Sequence, residues 1–176
     1  MANATFNTRD DSRGESLSDY WPLISLILVA LAAGLAITYS VNGGVMQGMH
    51  YFMGFFLSVF ALLKLFHPDA FADGFEMYDI IAKRTRTYGY IYPFIELALG
   101  LAYLSFIAPT ATYIATILVM AIGTIGVVKA LREGLDINCP CMGSILDVPL
   151  STVTLTEDIG MAAMAVLMLV MQLGVM

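Results

Sequence analysis

Five runs of about 20 residues in this chain are built almost wholly from apolar side chains, and that pattern leaves few folds open. They cover residues 21–40, 45–66, 88–108, 111–131 and 159–176, the last being the shortest. A backbone that crosses hydrocarbon must satisfy its own N–H and C=O groups, and a helix of roughly 20 residues does this across a core about 30 Å thick. With 59% hydrophobic and 12% charged residues, the chain has too little polar surface to clothe a soluble domain of 176 residues. The expected fold class is an all-α integral membrane protein.

Residues 1–20 are polar and mixed in charge, without the basic leader and short apolar core of a signal peptide, so the run 21–40 is expected to remain as a helix. The runs pair through very short joints: residues 41–44 (Val-Asn-Gly-Gly) between the first two, and 109–110 (Pro-Thr) between the third and fourth. Such joints force antiparallel neighbours. Parity then places the N-terminus and the segments 67–87 and 132–158 on one side. All eight strong bases obey that division: Arg9, Arg13, Lys64, Lys83, Arg84, Arg86, Lys129 and Arg132. The positive-inside rule assigns that side to the cytoplasm and the C-terminus to the outside of the cell (inner) membrane. A net charge of −6 argues against nucleic acid, which leaves membrane lipids as the certain partner.

Within 67–87, Phe71, Phe75, Tyr78 and Ala82 recur at helical spacing, opposite Asp69, Asp73 and Glu76. This predicts a surface helix along the membrane, with Lys83, Arg84 and Arg86 near lipid phosphates.

Chemistry concentrates at few positions. Cys139-Pro140-Cys141 holds the only two cysteines, in a polar segment where Pro140 excludes helix. A bent tripeptide brings its end Cα atoms close enough for a disulfide, and the small ring that results is strained and easily reduced. A redox dithiol is therefore favoured. A two-thiolate site for Cu(I) or Hg(II), with Met142 as a further ligand, is the alternative. Structural zinc wants four ligands, and no second cysteine pair exists. Glu96 is the one acidic residue well inside a predicted span, where a charge costs roughly 2.5–3.5 kcal/mol. Lys64, near the end of the second span, is its natural partner, and a structural ion pair is favoured over proton handling. Glu157 and Asp158 are expected to open the fifth helix as caps, with Lys129 or Lys64 as other partners.

Methionines repeat on two faces, Met46, Met49 and Met53 beside His50, and Met161, Met164, Met168 and Met171. Ordinary packing is the favoured explanation over a path for a soft cation. His50 is expected to hydrogen-bond a neighbouring helix. No phosphate loop, hydrolase triad or nucleotide fingerprint is present in the sequence, and no cofactor is expected.

The order Phe52-Met53-Gly54, Lys64-Leu65-Phe66, the run YGYIYPFIE from Tyr88 to Glu96, Cys139-Pro140-Cys141-Met142-Gly143 and Val148-Pro149-Leu150-Ser151-Thr152-Val153 resembles the methylamine-utilisation MauE membrane proteins of the wider DoxX-like group. The resemblance implies an antiparallel four-helix transmembrane bundle over 45–176, with 21–40 as one additional N-terminal transmembrane helix after a polar tail at 1–20. Members of that group are implicated in maturing a disulfide-rich periplasmic subunit of methylamine dehydrogenase. By position, Cys139 and Cys141 correspond to a redox pair acting on a thioredoxin-like or disulfide-containing partner, with Lys64 and Glu96 as the polar core. Heavy-metal handling and a non-catalytic membrane scaffold are the competing expectations. A cytoplasmic cysteine pair cannot itself oxidise a periplasmic substrate, so the segment must dip into the bundle or relay electrons.

Overall fold

The computed structural model describes residues 20–133 and 150–174, without the side chains of residues 150–152. Among these residues the chain forms six helices and no strand: α1 (Trp21–Ser40), α2 (Val45–Phe66), α3 (Pro68–Tyr78), α4 (Thr87–Ser105), α5 (Pro109–Arg132) and α6 (Leu150–Gln172). Segments at Trp21–Ser40, Val45–Phe66, Pro109–Arg132 and Val153–Gln172 are long and apolar enough to cross a bilayer. The predicted third span is α4, which does not reach that hydropathy. It turns its polar groups inward, burying Tyr92, Glu96 and Tyr103 while exposing Ile91, Phe94 and Leu101. An average over both faces hides the apolar outer one.

Helices α2, α4, α5 and α6 form the bundle, and α1 lies against α2 on its outside. The α2–α4 crossing is set by glycine. A Cβ on Gly100 would lie 2.9 Å from Ser58 N and 3.1 Å from Gly54 O, so the two backbones touch where neither residue has a side chain. Gly34 similarly brings α1 against the backbone of Phe52. The α5–α6 pair is also antiparallel, with Gly123 beside Asp158 near one end and Thr110 accepting from Gln172 Nε2 at 3.0 Å near the other. All described lysines and arginines therefore gather at one end of the bundle, together with α3.

Pro68 starts α3 directly after α2, since its fixed φ and missing N–H suit a first helical position. The helix folds back under the bundle and buries Phe71, Ala72, Phe75 and Tyr78 against α4, α5 and α2. The predicted amphipathic helix thus exists, but its apolar face packs on protein and not on lipid. Asp79 ends it, its Oδ1 accepting from the N–H groups of Ile81 and Ala82 at 2.8 Å each. Burial pushes the Asp79 carboxyl up from its ordinary value, and these two backbone donors oppose the shift. On the surface Arg86 pairs with Asp73 at 2.5 Å, and the Tyr90 hydroxyl donates to Asp69 at 2.8 Å, tying α3 to the start of α4.

The last helix corrects the sequence reading most. It begins at Leu150, nine residues before the predicted start at 159, so Glu157 and Asp158 are interior residues and not caps. Thr154, Glu157, Asp158, Met161, Ala165 and Met168 are buried at helical spacing, which makes the polar first half and the apolar second half one continuous inward stripe.

A branched side chain at Gly100 should force α2 and α4 apart. Gly100→Val is expected to cost about 1–3 kcal/mol in overpacking. Gly160→Ala, with nothing within 4 Å of the added carbon, should leave the thermal unfolding midpoint of the detergent-solubilised protein near that of the parent.

Candidate functional site

Lys64 lies in the last turn of α2, where a lysine ordinarily extends its stem towards water. Here α3 crosses that route, and the side chain is only 2% exposed. Its ammonium sits 5.4 Å from the centroid of the Tyr92 ring, 5.7 Å from that of Phe60 and 5.9 Å from that of Phe71, close enough for cation–π attraction. These rings do not neutralise it. Two glutamates meet it: Lys64 Nζ donates to Glu96 Oε2 at 2.6 Å and to Glu157 Oε1 at 2.8 Å. Both glutamates are at most 1% exposed.

Three helices converge to make this contact. The glycine contact between α2 and α4 sets the register that brings Glu96 opposite Lys64, and α6 supplies Glu157 from the facing pair. Asp158, also 1% exposed, follows immediately and is directed at α5, where a Cβ on Gly123 would fall 2.5 Å from its Oδ2. Only glycine leaves room for that carboxyl. Beside the cluster lies a cavity with room for about one water molecule. Lys64, Tyr78, Tyr92, Thr154, Glu157 and Asp158 line it together with Phe71, Phe75 and Gly123. The expected Lys64–Glu96 pair is therefore present, enlarged by two acidic residues that hydropathy had assigned to a cap. The signal was available in the spacing of Thr154, Glu157, Asp158 and Met161, which is that of a helix face.

A second polar centre occupies the opposite end. His50 on α2 is buried, with Nδ1 3.1 Å from the Tyr103 carbonyl oxygen and Nε2 2.6 Å from the Tyr113 hydroxyl. A carbonyl can only accept, so Nδ1 carries the hydrogen, Nε2 is left as an acceptor, and Tyr113 donates to it. The imidazole stacks on Phe106 at 4.4 Å between centroids, and Phe106 holds the left-handed φ of 56° that ends α4. His50 thus bridges helices, as expected. Met53, Met161 and Met168 are core packing residues together with Met120. Cys139, Cys141 and Met142 lie outside the described residues. Among the described residues, no group of three or more His, Cys, Asp or Glu is arranged to hold a metal ion.

Fold and site together define a multi-pass helical membrane protein organised around a buried lysine shared between carboxylates. More particularly, the chain belongs to the family of methylamine utilisation protein MauE, which matches residues 42–171. That match takes in α2 to α6 and the cysteine pair and leaves α1 outside it. No curated protein and no solved structure matches the chain.

Removing one member of the buried cluster should be far worse than removing several. Lys64→Met alone is expected to cost about 3–5 kcal/mol by stranding two carboxylates. Adding Glu96→Gln and Glu157→Gln to that variant should recover much of the loss. Strictly additive losses in thermal unfolding of the single and combined variants would mean that the three side chains do not act together.

Proposed function

We propose that the protein supports thiol–disulfide exchange in the maturation of a partner protein, with Cys139 and Cys141 as the exchanging pair. The observation that supports this reading is the position of the two helix ends between which the cysteines fall in the sequence. The segment bearing both cysteines joins α5 to α6, so its two ends are fixed at the end of the bundle that holds Lys64, Glu96 and Glu157. Glu157 follows Leu150 by seven residues, about 10 Å along the helix. Membership of the MauE family supports the same reading, since its name ties it to methylamine utilisation and the family resemblance implies maturation of a dehydrogenase.

In the exchange, a thiolate of one cysteine attacks a sulfur of the partner's disulfide, forming a mixed disulfide and expelling the other partner sulfur, which takes up a proton. The second cysteine, as thiolate, then attacks the mixed disulfide. It closes the Cys139–Cys141 bond and releases the first partner sulfur. Two electrons have moved from the pair to the partner, and the reverse sequence oxidises a partner dithiol. Lys64 and Glu96 hold together the bundle end to which the cysteine-bearing segment is joined. By the positive-inside rule that basic end faces the cytoplasm of the inner membrane, so the pair relays electrons to or from a cytoplasmic thioredoxin-like partner.

Purified protein equilibrated in glutathione or dithiothreitol buffers and trapped by mass-tagging alkylation should pass through one two-electron transition. Cys139→Ser and Cys141→Ser should each abolish it, and one of them should accumulate a mixed disulfide in cells. A pair that stays reduced in every buffer while binding Cu(I) or Hg(II) tightly would replace this reading with soft-metal handling through Cys139, Cys141 and Met142.

The orientation has its own test. In a background lacking both cysteines, Gly43→Cys should react with an impermeant maleimide in intact cells and Thr85→Cys should not. The reverse pattern would invert the topology.

A further inference from the structure

Among the described residues, the buried cluster brings two glutamates onto one lysine, with Asp158 alongside. Lys64 faces Glu96 and Glu157 at hydrogen-bond distance, and Asp158 forms the adjoining cavity wall. Among the described residues, the other titratable side chains lining the cavity are those of Tyr78 on α3 and Tyr92 on α4, and α5 contributes Gly123. Of the two glutamates, Glu96 is 0% exposed, yet its Oε1 finds no donor among the described residues. Glu96 and Glu157 thus meet on one ammonium. Two ionised carboxylates brought to a single cation in a buried place offer only acceptors and repel, whereas one proton removes the repulsion and supplies a donor.

We propose that this cluster is a proton-binding site: at neutral pH the Glu96–Glu157 pair holds one proton, Lys64 balances the charge that remains, and the cavity beside Asp158 admits the water through which the proton exchanges. The ligand is the proton itself, carried by water. Its loss leaves two negative glutamates on one ammonium, so gain and loss of the proton change the charge at the contact joining α2, α4 and α6. The site stands on the described residues alone and does not depend on the role of the cysteines.

The test is infrared spectroscopy of the full-length protein in lipid nanodiscs. The parent at neutral pH should show a carboxylic acid C=O band, distinct from carboxylate bands, that moves in deuterated water and is bleached as pH is raised. Biosynthetic labelling with heavy-carbon glutamate should shift it, which assigns the proton to glutamate without any substitution. Glu96→Gln and Glu157→Gln should each remove the band, because the surviving carboxylate then matches Lys64 one to one. Lys64→Met should strengthen it about twofold, since both carboxyls then lack a counter-ion. Absence of an acid band in the parent at neutral pH would overturn the proposal, and so would a band that shifts with labelled aspartate and not with glutamate. Both decisive readings come from the parent protein, so a variant that fails to fold does not remove the test.

Discussion

The ammonium of Lys64 is the point on which the bundle turns. In hydrocarbon surroundings a bare cation is costly, and the two acidic partners that lower this cost arrive on different elements, Glu96 on α4 and Glu157 on α6, within an aromatic surround drawn from α2, α3 and α4. The register of each helix is consequently constrained by one atom. A helix pair held by apolar packing alone can slide by a turn at modest cost, but Glu96 or Glu157 displaced by a turn would lose its contact with Lys64. The Gly54–Gly100 contact reinforces the same register from the other side, since close approach is possible only where both side chains are missing.

The two polar centres obey different rules. Around His50, donors and acceptors match one for one: the ring N–H goes to a carbonyl, and the tyrosine O–H goes to the ring nitrogen. Neutral groups so satisfied give a fixed geometry and stiffen the meeting of α2, α4 and α5. Around Lys64 the acceptors outnumber the cation, and a small cavity adjoins them. One end of the bundle is thus a matched hydrogen-bond lock, and the other is a charged centre whose balance depends on a mobile ion.

Much of this was legible in the sequence. The apolar runs fixed the helices and the membrane, the short joints fixed the antiparallel order, and the isolation of Glu96 and Lys64 in apolar surroundings pointed each to the other. The misreadings share a cause. Hydropathy treats a carboxylate as a mark of the water boundary, so Glu157 and Asp158 were taken for the start of a helix when they lie on the buried face of one. The apolar face of α3 was likewise assigned to lipid because the sequence does not say whether an amphipathic helix meets lipid or protein. Both are long-range facts, decided by what sits opposite. Cys139 and Cys141 were singled out by chemistry alone, and their function rests on that chemistry and on the family.

The distribution of buried charge over three helices also governs how such a protein can be made. Each of α2, α4 and α6 carries into the bilayer at least one ionisable side chain that would cost roughly 2.5–3.5 kcal/mol in isolation. None finds its complement within its own helix. The helices are synthesised in the order α2, α4, α6, so Lys64 and Glu96 can meet first, while Glu157 enters only when α6 emerges. Emergence of α6 and completion of the charge network are the same event, and a chain halted before it advertises its incompleteness as unmatched charge within the membrane.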